Sequence, residues 1–178
     1  SGLRQDSGGR ATLSAQYMTL PPSTLPHSVL LPTMCEICPR CCGANRAIGA
    51  VRYCGADDTL RVARSALHHW EELPISGTRG SGTVFFSNCS LRCVFCQNAE
   101  ISTGGLGQTI TVERLAELFL ELQQQGAHNI NLVTPTHYQP QIIVALDLAR
   151  AAGLQLPIIY NTSGYETVEA IQLLTGHV

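Results

Sequence analysis

The chain has 178 residues, 44% of them hydrophobic and 13% charged, with a formal net charge of −2. That fits one sizeable soluble domain, or a domain plus a small module, and gives no basic field for nucleic acid or an anionic membrane. No stretch reaches the about 20 apolar residues of a membrane helix, because Asp147, Arg150 and Gln155 interrupt the one from Ile142 to Tyr160. All eight cysteines fall between Cys35 and Cys96. A secreted disulfide scaffold spreads its cysteines over the whole fold, whereas C-x-x-C clusters in a longer chain favour metal binding in a reducing compartment, here the cytoplasm.

Residues 1–33 are rich in Ser, Gly, Pro and Thr without sustained periodicity. They read as a flexible lead-in, consistent with a cut or partial chain or a weak transit peptide. Residues 34–58, built on CEICPRCCGANRAIGAVRYCG, form a Cys-rich metal-binding module. Residues 59–82 lead from it into the main domain. DDTLRVARSALHHWEEL predicts a helix with Asp58 or Thr59 as N-cap and Pro74 beyond its end, and PISGTRGSG predicts a glycine-rich loop.

From residue 83 to 178 strands alternate with helices. TVFFSN (83–88) is a β-prone run. TVERLAELFLELQQQG (111–126) carries Val112, Leu115, Leu118, Phe119 and Leu122 on one helical face, with Gly126 at its stop. NINLVT (129–134) is the next strand, and PQIIVALDLARAAG places Pro140 in the first turn of a helix and Gly153 at its end. LPIIYNT (156–162) is a third strand and ETVEAIQLLTG opens a third helix. Such alternation predicts an α/β fold with a parallel sheet, whose functional groups gather beyond the C-terminal strand ends. Those ends are Asn88–Cys89, Thr134–His137 and Asn161–Thr162.

CSLRCVFCQN (89–98) therefore sits where a cofactor is expected, with Cys89, Cys93 and Cys96 on one loop. A [4Fe–4S] cube takes one thiolate per iron, so three cysteines leave one iron open, as a reactive metal site requires. The alternative is a zinc site closed by His68, His69, His128, His137 or a cysteine of the first cluster.

The segment resembles the signature of the radical S-adenosylmethionine superfamily. GTVFFSNCSLRCVFCQN is similar to the first strand and cluster loop of pyruvate formate-lyase activating enzymes. CPRCCGANR, HHWEELPISGTRGSGT, GAHNINLVTPTHY and YNTSGYE resemble an orphan branch related to them. The likeness runs from about Cys35 to the C-terminus. It implies a partial (β/α) barrel of which about three strand–helix units are present, the N-terminal half, so that the chain reads as a fragment. It also implies a [4Fe–4S] cluster, S-adenosylmethionine chelated to the open iron, reductive cleavage to a 5′-deoxyadenosyl radical, and hydrogen abstraction as in glycyl-radical-enzyme activases. A reductant such as flavodoxin or ferredoxin and an unknown protein or small-molecule substrate follow as partners. Phe95 matches the family's aromatic beside the adenine, with a core-facing aromatic as the alternative.

The activases' Gly-Gly-Glu loop is replaced by TPTHYQP (134–140), where Thr134, Thr136 and His137 offer hydroxyl and imidazole acceptors. Asn161 and Thr162 end the third strand, facing the cofactor or making ordinary strand-end hydrogen bonds. Cys35, Cys38, Cys42 and Cys54 match the family's first cluster, with Cys41 at its variable position. Four thiolates suit a closed zinc site or a second iron–sulfur cluster, and Arg40, Arg46 and Arg92 could balance cluster charge. The rival to the enzyme is a non-enzymatic zinc or iron–sulfur module with structural cysteines. A dithiol redox protein fits less well.

Overall fold

The computed structural model describes residues 31–178. The expected flexible lead-in lies, up to residue 30, outside the described residues. The elements in order are β1 (Leu60–His68), α1 (Leu73–Ser76), β2 (Ser81–Phe86), α2 (Ala99–Ser102), β3 (Gln108–Ile110), α3 (Val112–Gln124), β4 (Ile130–Val133), α4 (Gln139–Ala151), β5 (Ile158–Asn161) and α5 (Val168–Leu173).

These strands form one five-stranded sheet in the order β3-β1-β2-β4-β5. β2, β4 and β5 run parallel, with Val84 opposite Leu132 and Leu132 opposite Tyr160. The parallel half thus follows the strand–helix alternation of the sequence. β1 is antiparallel to both β2 and β3, so β2 is an interior strand. Among the described residues β5 pairs only with β4, leaving the other edge open as expected for three parallel strands.

The helix expected from Asp58 or Thr59 onward is instead strand β1, and the helical reading of residues 59–73 is corrected. The polar signal before it is a local turn: Asp57 Oδ1 accepts from Thr59 N at 2.9 Å and Thr59 Oγ1 at 2.6 Å. Asp and Thr favour such turns as much as helix caps. Beyond it Leu60 and Val62 are buried while Arg61 and Ala63 are less so, the two-residue period of a strand. Pairing with β2 from Val62 to His68 then overrides helical propensity. Pro74, expected beyond a helix, lies in the first turn of the short helix α1, where its missing N–H costs nothing.

α3 forms where its apolar face predicts. Val112, Leu115, Phe119 and Leu122 are buried together with Ala116, while Leu118 is half-buried. Thr111 caps the helix by accepting from Arg114 N at 3.1 Å. Thr111→Ala is expected to lower unfolding free energy by about 1 kcal/mol, read from the urea midpoint. α4 buries Ile142, Ala145, Leu146 and Ala149 against the same core, which also takes in Leu60, Val84, Phe86, Ile130 and Leu132. Apolar Val84 and Leu132 thus face the helices. By strand alternation their neighbours Thr83 and Asn131, register partners and both fully buried, face the other way.

Candidate metal centre at the strand ends

After Phe86 the chain turns sharply at the C-terminal end of β2. Asn88 and Arg92 adopt left-handed conformations with φ of 72° and 53°, which fold the loop back on itself. Asn88 Nδ2 donates to the Tyr138 hydroxyl at 3.0 Å and fixes the loop's first corner. Leu91 N donates to Cys89 Sγ at 3.4 Å, and Cys96 N to Cys93 O at 3.2 Å. Val94 and Phe95, at the tip, are 100% and 86% exposed. Phe95 is therefore not a core aromatic. It stands free at the mouth of the loop.

Cys89, Cys93 and Cys96 are partly exposed free thiols. Among the described residues no three Cys, His, Asp or Glu side chains lie close enough together to hold a metal as they stand. The donor chemistry nonetheless fits an iron–sulfur cluster: three unpaired thiols on one tight loop, each partly open to an incoming group. Of the histidines weighed as a zinc ligand, His68 is the register partner of Ser81 at the start of β2. His128 accepts from Arg79 N at 3.2 Å and packs beside Gly77, and His69 packs beside Gly80. These three sit at the opposite end of β2 from Cys89, and that strand (Ser81–Phe86) is itself about 17 Å long at the usual rise per residue. Only His137 shares the loop's end of the sheet.

The first cluster lies on that same end. Residues 35–44 form a knuckle closed by Cys35 N to Ala44 O at 3.0 Å, Gly43 N to Cys35 O at 3.1 Å and Cys41 N to Cys38 O at 3.0 Å. Cys35, Cys38, Cys42 and Cys54 line one cavity, together with Arg40, Tyr53, Ser90, Thr136 and His137. Cys41 is exposed, and its thiol lies 3.7 Å from Cys38 O. Burial pushes the Cys35 thiol up to about 11, with the neighbouring Cys42 and Cys54 adding to the shift against Arg46. Burial also raises Cys38, again with Cys54 and Cys42 contributing. At both positions burial thus favours the thiol over the thiolate.

Module and loop are clasped together, which the sequence did not disclose. Arg40 Nε donates to Ser90 O at 2.9 Å, and its guanidinium lies 3.4 Å over the Tyr53 ring. Tyr53 OH donates to Leu91 O at 3.3 Å, and Arg92 donates back to Tyr53 O at 3.0 Å. Cys89 N donates to Cys54 O at 3.4 Å. This approach is open because Gly55, at φ 85°, has no side chain: a Cβ there would lie 2.9 Å from Asn88 Oδ1. Arg40 and Arg92 thus join the two cysteine groups.

Arg46 is deeper. It is 1% exposed, donates from Nε to Asp57 O at 3.0 Å and from Nη1 to His137 O, and lies over the Tyr138 ring. His137 is 4% exposed. Its Nε2 lies 2.7 Å from Ser87 O, and since a carbonyl only accepts, Nε2 carries the proton. Burial lowers its basicity to a pKa of about 4, opposed by the Ser87 bond and aided by Arg46, so the ring is neutral.

At the ends of β4 and β5, Thr134 is left-handed with φ of 56° and donates its N–H to Asn161 O at 2.9 Å. Thr136 Oγ1 donates to Glu166 Oε1 at 2.6 Å, and Thr162 Oγ1 donates to the same oxygen. Burial first, then the Glu166 charge, pushes the pKa of the adjacent Tyr160 hydroxyl up and keeps it protonated. The structure thus brings Thr136 and Thr162 together on a carboxylate that sequence reasoning missed. Asn161 and Thr162 are exposed at this rim, while Thr136 and His137 are buried beneath the module. The signal for Glu166 was present in YNTSGYE, but only the fold shows which hydroxyls its carboxylate meets.

A family model described as the radical SAM superfamily matches residues 83–177, more than half of the chain. The uncharacterized protein MJ0674 of Methanocaldococcus jannaschii is 28% identical over 153 residues, 81% of this chain and 43% of that protein. The chain therefore spans less than half the length of this relative. No solved structure matches. No helix among the described residues is long and apolar enough to cross a membrane.

Proposed function

Since the chain belongs to the radical SAM superfamily, we propose that it contributes the cluster-binding half of an enzyme that cleaves S-adenosylmethionine reductively, in the manner of glycyl-radical-enzyme activases. The observation that carries this reading is the family match beginning at β2, whose C-terminal end bears three free thiols on one loop. When bound and reduced by an external donor, the cluster would supply one electron to the sulfonium of S-adenosylmethionine, breaking its C–S bond to methionine and a 5′-deoxyadenosyl radical.

The chain's own residues do the rest. Cys89, Cys93 and Cys96 would hold the cluster through three thiolates, leaving one iron for the nucleotide's amino acid end. Phe95, exposed beside Cys96, offers an apolar face to the adenine. Thr134, Asn161 and Thr162 line the approach along the rim. Glu166, held by the hydroxyls of Thr136 and Thr162, supplies the carboxylate that TPTHYQP lacks and accepts a hydrogen bond from the amino group of the methionyl moiety. Glu166→Gln is expected to weaken S-adenosylmethionine binding about tenfold, the value of roughly 1.4 kcal/mol for a charge-assisted hydrogen bond, by calorimetry. An unchanged affinity places the amino group elsewhere.

Cys35, Cys38, Cys42 and Cys54 are proposed to bind a second metal, zinc or an iron–sulfur cluster, whose first role is to fold a module with little core of its own. Flavodoxin or ferredoxin as electron donor, and a protein glycine or small molecule as hydrogen donor, complete the proposal. Its test, on the chain completed to full barrel length, is anaerobic reconstitution with iron and sulfide, reduction, and addition of S-adenosylmethionine. Cluster-dependent 5′-deoxyadenosine is the expected product. A fully loaded protein that neither binds nor cleaves the nucleotide contradicts it.

A further inference from the structure

We propose that His137 is the nitrogen ligand of the first cysteine site, completing with three of its four thiols a mixed imidazole–thiolate centre for a borderline dication such as zinc. This rests on the reading that Cys35, Cys38, Cys42 and Cys54 take a metal, and deepens it. The residue comes from a different element, the 3₁₀ turn Thr136–Tyr138 after β4, far along the chain from Cys35. Spacing within the cysteine motif could not reveal it.

Three observations converge on the ring. His137 lines the same cavity as the four cysteines. Its side chain is almost wholly buried, yet Nδ1 has no hydrogen-bond partner, and leaving a buried polar atom unpaired is costly. Its other nitrogen is committed: Nε2–H donates to Ser87 O at 2.7 Å, so in the neutral ring Nδ1 presents a bare lone pair. A histidine that ligates a metal through one nitrogen characteristically donates the other N–H to a carbonyl or carboxylate, which fixes tautomer and ring plane. His137 already has that second bond. Arg46 donates to the backbone carbonyl of His137 and tethers the turn to the module, so the imidazole arrives with the cysteines rather than drifting past them.

Tetrahedral zinc takes four ligands, and one nitrogen with three sulfurs is among its ordinary structural sets. With five donors on one cavity, one thiol is spare. The side chains stand beyond ligand distance of a common centre; closing the site belongs to metal binding, since metal-free proteins seldom hold such sites preformed. The assignment also joins the module to the main sheet through the metal: Cys35 to Cys54 belong to the module and His137 to the end of β4.

The test uses the full chain with Cys89, Cys93 and Cys96 changed to Ala, so that only this cavity has a thiol set, and cobalt(II) as probe under anaerobic conditions. Thiolate-to-cobalt absorption with tetrahedral visible bands is expected. His137→Gln should shift the visible bands and weaken cobalt and zinc binding tenfold or more. Of the single Cys→Ser changes at 35, 38, 42 and 54, one should leave affinity unaltered. As a readout independent of substitution, zinc should displace the Nδ1 nitrogen resonance of His137 in the unsubstituted ring. An unchanged spectrum and affinity in His137→Gln, with all four thiols required, overturns the histidine assignment while leaving a four-thiolate site. Absence of any thiolate–cobalt absorption overturns both that site and this inference.

Discussion

Cys93→Ala should reduce formation of 5′-deoxyadenosine to background, while Cys41→Ala leaves it nearly unchanged. Cys93 is the middle of three thiols that must together anchor the cluster, and with two left the loop no longer cages it. A ligand loss is expected to exceed the roughly 10–100-fold effects typical of changes one shell further out. Cys41 faces solvent with its thiol against Cys38 O, outside both proposed ligand sets. Iron and sulfide content after anaerobic loading separates the two variants before any activity is measured. Should Cys41→Ala lose the cluster and Cys93→Ala keep it, the ligand assignment is wrong.

Arg46→Ala is expected to cost about 3 kcal/mol of unfolding free energy, at the upper end of what removing hydrogen bonds to buried groups produces. Its guanidinium serves the carbonyls of Asp57 and His137 and is itself 1% exposed. Truncation leaves both acceptors without that donor and opens a gap over Tyr138. Arg46→Lys should rescue little, because an ammonium cannot present the guanidinium's spread of donors to two carbonyls at once. Urea unfolding of the metal-free protein measures both variants. A loss under about 1 kcal/mol for Ala, or full recovery by Lys, would show that Arg46 does not tie the module to the sheet. The first reporter of its removal should be the His137 turn, where hydrogen exchange accelerates before the α3 core opens.

What the sequence disclosed and what it hid differ for physical reasons. α3, α4 and the strands β2, β4 and β5 announce themselves by local pattern, because a helix face or a buried strand is written within a dozen residues. β1 did not. Its sequence mixes Arg61, Arg64 and small residues with few apolar positions, and its strand state comes from pairing with β2 and β3, partners separated from it in sequence. The loop thiols were legible because their chemistry is carried by spacing on one short segment. The Arg40–Tyr53–Arg92 clasp, the buried Arg46 and the bridging Glu166 were not, since each depends on which distant backbone a side chain reaches. Phe95 was open to two readings, and exposure decided against the core.

The account turns on whether one iron of the loop-bound cluster lacks a protein ligand. Mössbauer spectroscopy of iron-enriched protein, recorded before and after addition of S-adenosylmethionine, measures this most directly. One iron of the cube should change its isomer shift as the nucleotide's amino and carboxylate groups arrive, with the other three nearly constant. Four irons that stay alike and indifferent to the nucleotide would mean that side chains already cap every corner, and the proposed chemistry would have nowhere to occur.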